Sequence, residues 1–219
     1  MSPQPQFTPE EVCELRGGFG SLFAQLGRPD ALAAGGAPAA AVKLTRIESE
    51  PALRLFLRAY VTEILLPIEL PAIARAFSQA QRNELRELLE TTRALGREPR
   101  LREFATASQR VGRSHLDRLR PLTDQRLVRR FRQAVEVGQA SPWHTVVFGL
   151  TLAIYSLPLR QGLGHYARQM LGGFIAAAAP TLRLNEAAAD ELLEELCVGL
   201  AAGVEVVVVA HAGGGLRVV

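Results

Sequence analysis

From Ser49 onward, apolar residues return every three or four positions, the spacing of one buried helix face. Ser49-Glu50-Pro51 reads as a cap followed by a first-turn proline, and Leu53, Leu57, Tyr60, Val61 and Ile64 then share a stripe. Pro67 is expected to stop this element and Pro71 to begin another, running to about Ala80. Asn83 to Leu95 is charged and amphipathic, with Leu85, Leu88, Leu89 and Leu95 on one side and Gly96 at its end. Pro99 to Leu119 predicts a long helix. Asp124 opens the next, which runs to about Val137 and is closed by Gly138. Ser141-Pro142-Trp143 starts an apolar helix to Ser156. Pro158 starts another, ended by Pro180, and Asn185-Glu186 caps a last one through Ala202. Val204 to Val209 is β-branched and in isolation reads as a strand. With no partner strand in view, the expectation is that the helix continues towards His211.

The pattern predicts an all-α fold, a single-domain bundle of roughly 8–10 helices. Residues 49–212 form this domain. Residues 1–48 differ, being punctuated by Pro3, Pro5, Pro9, Pro29 and Pro38 and by several glycines. They read as an extension with a short helix at about Thr8–Leu26, then an Ala/Gly/Pro linker over 31–41. Residues 213–219 are a short tail.

Composition supports the helices, since Ala and Leu dominate and aromatics are only 6% of 219 residues. Three apolar runs raise the question of a membrane. Trp143–Leu157 is too short to span one, Pro158–Ala179 contains Arg160, His165 and Arg168, and Leu196–Ala212 contains Glu205. Buried core helices are the expectation. The N-terminus lacks the apolar stretch of a secretory signal, so the expected location is cytoplasmic.

Catalytic templates fail. Lys43 is the sole lysine and follows no glycine-rich loop, which excludes a P-loop. Asp30, Asp117, Asp124 and Asp190 are scattered, and His115, His144, His165 and His211 stand in no metal-ligand spacing. Cys13 and Cys197 are far apart, and no serine lies in a nucleophile elbow. The expectation is a protein without catalytic residues, metal or cofactor. Charge is informative only locally. The net charge is +3, yet Arg110 to Arg132 holds eight arginines against Asp117 and Asp124, or +6. These are solvated helix faces, a docking surface for an acidic partner, or a nucleic-acid contact. Few amides accompany them, which disfavours base readout.

Several segments together resemble one family. Leu101-Arg102-Glu103 followed by Ser108-Gln109-Arg110-Val111-Gly112-Arg113 is similar to an Arg-Glu pair preceding a Ser-x-Arg-Met-Gly-Arg run. His144-Thr145-Val146-Val147-Phe148-Gly149-Leu150 is similar to a His-x-x-Val-Ala/Val-Phe-Gly-Leu stretch. Leu53-Arg54-Leu55-Phe56-Leu57 before Leu70-Pro71, and the helix after Leu157-Pro158 with Tyr166 and Leu171, complete the likeness, over roughly 48–200. These segments resemble the UreF urease accessory proteins. That resemblance implies an all-α homodimer that joins a UreD/UreH-type protein and a UreG-type GTPase on apo-urease and promotes nickel insertion. The candidate partner contacts are Arg102, Ser108, Arg110, Gly112, Arg113, Arg129, His144, Phe148, Gly149 and Tyr166, with ordinary core packing as the other reading of the glycine and apolar positions among them. The alternatives are a UreF-like interaction protein with another client, or a helical enzyme of unknown class. The sequence departs from the family where Gly17-Gly18-Phe19-Gly20-Ser21 stands for its N-terminal motif, Gly172-Gly173 for a Ser-Asn pair, and Leu184-Asn185-Glu186 for a Gly-Gln-Thr turn. The chain ends at Val219 without the usual C-terminal extension, which implies an altered UreD contact.

Overall fold

A computed structural model describes residues 47–119 and 125–212. The expected helix at 8–26, the linker over 31–41 and the tail at 213–219 lie outside the described residues. Within them the chain is all helical: α1 (Glu50–Tyr60), a π-helical segment (Val61–Glu69), α2 (Leu70–Gln81), α3 (Leu85–Arg97), a 3-10 segment (Pro99–Phe104), α4 (Ala105–Arg118), α5 (Arg126–Glu136), α6 (His144–Ile154), α7 (Leu159–Leu182), α8 (Glu186–Val198) and α9 (Leu200–Ala212). No strand occurs among the described residues. Val204–Val209 is helix, as expected, because α9 buries Leu200, Val204 and Val207 against its neighbours, and this packing overrides strand propensity.

The start signals act as read. The Ser49 side chain accepts from the Ala52 amide, and Asn185 Oδ1 accepts from the Ala188 amide at 2.8 Å. Gly138 takes the left-handed φ of +75° just past α5. Two prolines do not act as expected. Pro67 does not stop its helix: α1, the π segment and α2 form an uninterrupted rod from Glu50 to Gln81. Proline breaks an α-helix because it lacks an amide and crowds the carbonyl four residues back. The wider π turns shift bonding to the carbonyl five back, and exposed Pro67 is accommodated there. Pro180 likewise lies inside α7, which ends at Leu182, where Arg183 adopts the left-handed conformation (φ 54°, ψ 36°). The start of the predicted helix at 99–119 is 3-10 in form, running on from the Glu98 carboxylate that caps it.

The core centres on α6, enclosed along its length from His144 to Leu152. It packs chiefly on α2 and α4, while α7 lies against α1, α2, α8 and α9. Among the described residues, no helix is long and apolar enough to cross a membrane.

Candidate functional site

Two glycines set how closely α6 is held. A β-carbon on Gly112 of α4 would lie 1.9 Å from the Pro142 carbonyl oxygen and 2.8 Å from the His144 nitrogen. One turn earlier on the same face, Ser108 Oγ accepts the His144 amide at 3.2 Å. That amide opens α6, where an unpaired donor has no partner within its own helix. The Ser108-to-Gly112 pair therefore caps α6 from a different helix and needs the close approach that glycine permits. At mid-helix, a β-carbon on Gly149 would meet the Ile73 carbonyl oxygen at 2.4 Å and the Ala76 β-carbon at 2.9 Å. The two motifs clamp α6 between α4 and α2.

Beside the clamp lies a buried polar and aromatic cluster. His144 and Phe148 are one turn apart on α6, and both pack on Tyr166 of α7, at ring centroid distances of 5.6 and 5.2 Å. Tyr166 donates to Glu69 Oε2 at 3.3 Å, and Tyr60 donates to the same oxygen at 2.5 Å. Burial pushes the Glu69 carboxyl from 4.5 up to about 7, against the two hydroxyls, which favour its charged form. The same burial, with the neighbouring carboxylate, raises both tyrosines. On the other side of His144 stands His115, 5.8 Å between rings. Thr151 donates its only hydroxyl proton to the Val147 carbonyl at 2.7 Å, so it accepts from His115 Nε2 at 3.2 Å. Burial, helped by His144 and Arg118, lowers His115 from 6.5 to about 3 and keeps it neutral. The cluster can hold protons, but Glu69, His115 and His144 are at most 3% exposed, and no substrate reaches them in this conformation.

Ser108, Gly112, His144, Phe148, Gly149 and Tyr166 thus lie together in the interior. Arg102, Arg110, Arg113 and Arg129 are exposed. Arg102 projects from the 3-10 segment, and Arg110 and Arg113 stand one turn apart on α4. On α5, Leu127, Val128 and Phe131 turn inward while Arg126, Arg129 and Arg130 remain outside. Among the described residues, none of Arg110, Arg113, Arg126, Arg129 and Arg130 forms an ion pair, whereas Arg132 meets Glu136 at 3.6 Å. Elsewhere some arginines are matched, with Arg54 and Arg58 reaching Glu195, Arg160 reaching Glu205 and Arg168 reaching Glu194, while single arginines such as Arg86, Arg97 and Arg183 form no ion pair among the described residues; α4 and α5 are where such arginines cluster. Arg120 and Asp124 lie outside the described residues.

The sequence reading passed over Glu69. Its signal was a lone carboxylate within the apolar run Ile64 to Ala74. Among the described residues, no three His, Cys, Asp or Glu side chains are placed to hold a metal ion.

No curated protein sequence matches the chain significantly. The UreF family model matches residues 47–197, well over half of the chain and all but the last part of the described bundle. The match takes in both clamp motifs, the buried cluster and the arginine-bearing helices, and with it the chain belongs to the UreF family of urease accessory proteins.

Proposed function

We propose that this protein is a non-catalytic scaffold of urease maturation, acting in the cytoplasm as a homodimer. In this reading it bridges a UreD/UreH-type protein and a UreG-type GTPase on apo-urease and so promotes nickel insertion. Residues 49–212 are the working domain. The observation that carries the reading is the contrast between a sealed interior and an unmatched cationic surface. The buried cluster of Glu69, His115, His144 and Tyr166 is enclosed, so chemistry on a substrate has no opening there. Outside, Arg110, Arg113 and Arg129 meet no carboxylate among the described residues, and guanidinium groups form paired hydrogen bonds with carboxylates. An acidic partner completes what the described residues leave unpaired. The buried residues support this surface indirectly, by fixing α4 on α6.

The test is charge reversal at Arg110, Arg113 and Arg129 together, each to Glu. The partner complex is expected to weaken at least tenfold, with helical content and unfolding midpoint unchanged, because all three side chains are solvent-exposed. Co-purification with UreG-type and UreD-type proteins identifies the partner affected. An unchanged dissociation constant assigns the arginines to solvation alone. Full urease activity in a deletion strain under limiting nickel sinks the accessory role itself.

A further inference from the structure

The far end of the bundle carries a second surface, apolar where the arginine face is charged. Helix α9 is apolar except for Glu205 and His211, yet it buries only Leu200, Val204 and Val207. Its other side presents Val206 and Val209, 69% and 60% exposed, and Val198 at the end of α8 is 82% exposed. Exposed Ala202 lies between them, so Val198, Ala202, Val206 and Val209 follow each other at intervals of four, four and three. Gly199, which joins the two helices, is itself in right-handed helical conformation (φ −82°, ψ −16°), so the stripe continues across the junction. It is about 17 Å long at 1.5 Å per residue. One edge is bordered by the ion pair of Glu205 with Arg160, and an apolar stripe rimmed by polar groups in this way marks a contact surface.

The chain carries a segment of matching pattern and length. Val12, Leu15, Phe19, Leu22 and Leu26 recur at alternating intervals of three and four, the seam spacing of a helix that packs on one other helix. Their stripe would be about 21 Å long. Gly17, Gly18 and Gly20 fall between these seam positions and make the segment a poor helix by itself, one that needs a surface to form on. The tether reaches. Leu26 and Ile47 are separated by an Ala/Gly/Pro-rich stretch that extends to about 65 Å at full length and about 25 Å as a coil. The described chain begins at Ile47 and enters α1, whose Arg54 and Arg58 both bind Glu195, one turn of α8 before Val198. The described chain therefore starts in a helix paired with the one that leads into the stripe.

We propose that residues 11–26 of the same chain dock as a helix on the apolar face formed by Val198, Ala202, Val206 and Val209. Docking removes both apolar stripes from water, and the short tether makes the contact intramolecular.

Hydrogen–deuterium exchange on the full-length chain tests this, with Val206→Asp/Val209→Asp as the variant. Both valines are mostly exposed, so the bundle itself is expected to remain folded, with unchanged protection in α2, α6 and α7. In the wild-type chain, amides of residues 11–26 are expected to show about tenfold protection or more, independent of protein concentration. The variant is expected to lose that protection, and Phe19→Asp/Leu22→Asp to lose it equally. Three outcomes overturn the proposal. Unprotected wild-type amides leave the face to a partner protein. Protection that rises with concentration assigns it to a second copy. Protection that survives Val206→Asp/Val209→Asp places the segment elsewhere.

Discussion

Replacing Glu69 by Gln isolates the buried carboxyl as a source of pH-dependent stability. In the folded protein this group titrates at about 7, against an ordinary value of 4.5. An acid whose pKa is raised by folding binds its proton more tightly in the native state. Its contribution is fully present below the unfolded value and is lost as pH rises through the folded one. The gap corresponds to at most ~3 kcal/mol, at about 1.4 kcal/mol per pH unit. His115 works in the opposite sense. Its pKa falls from 6.5 to about 3, so its neutral burial costs stability as pH drops below the unfolded value. Between 4.5 and 6.5 the two slopes oppose each other, and the wild-type protein is buffered in that range. Glu69→Gln keeps the shape and an acceptor for one tyrosine but removes the titration. Its amide hydrogens shift stability by a constant, and that constant drops out of a pH series. Urea denaturation between about pH 5 and about pH 8 is expected to show the variant gaining ~2–3 kcal/mol on the wild type as pH rises. A stability difference that stays flat across that range would refute the assignment of Glu69 as a buried, protonatable group.

The clamp makes further predictions. Gly112→Ala should destabilise by ~1–3 kcal/mol, since its β-carbon collides with the Pro142 carbonyl and the steric cost outweighs the helical gain of ~1 kcal/mol. Gly164→Ala, within α7 with nothing within 4 Å of its β-carbon, should instead stabilise by ~0.5–1 kcal/mol. Chemical denaturation of the pair reads both signs, and equal signs would contradict the packing described. Ser108→Ala should cost ~1 kcal/mol through the lost cap on His144, read as a lowered unfolding midpoint.

Much of the fold was legible from residues with local physics. Ser49, Asn185 and Gly138 each act through their own backbone or the next turn, and sequence reasoning places such groups well. Pro67 was misread because the breaking rule assumes α-type bonding throughout, and nothing local announces a π turn. The site divided along similar lines. That the arginines of α4 and α5 stand outside follows from Leu127, Val128 and Phe131 claiming the inward face. The Ser-x-Arg-x-Gly-Arg and Val-Val-Phe-Gly motifs stood out as residue patterns, but their task is to meet helices remote in sequence. Gly112 finds Pro142, and Gly149 finds Ile73. No periodicity within one helix reveals those meetings. Glu69 was harder still, because its meaning depends on Tyr60 and on Tyr166, a partner almost a hundred residues away.

The π-helical stretch between α1 and α2 also acts as a phase shifter. Wide turns advance the chain by fewer degrees per residue than an α-helix, so the faces of α1 and α2 are offset from those of a uniform rod. That offset lets Tyr60 and Glu69, nine positions apart, aim at one point. Rewinding this stretch as ordinary α-helix at the same length would turn everything beyond it relative to α1 and part Tyr60 from Glu69, since nine residues of α-helix end on the opposite face. The rod is in this sense a keyed shaft, whose extra length in one turn fixes how its two ends are indexed.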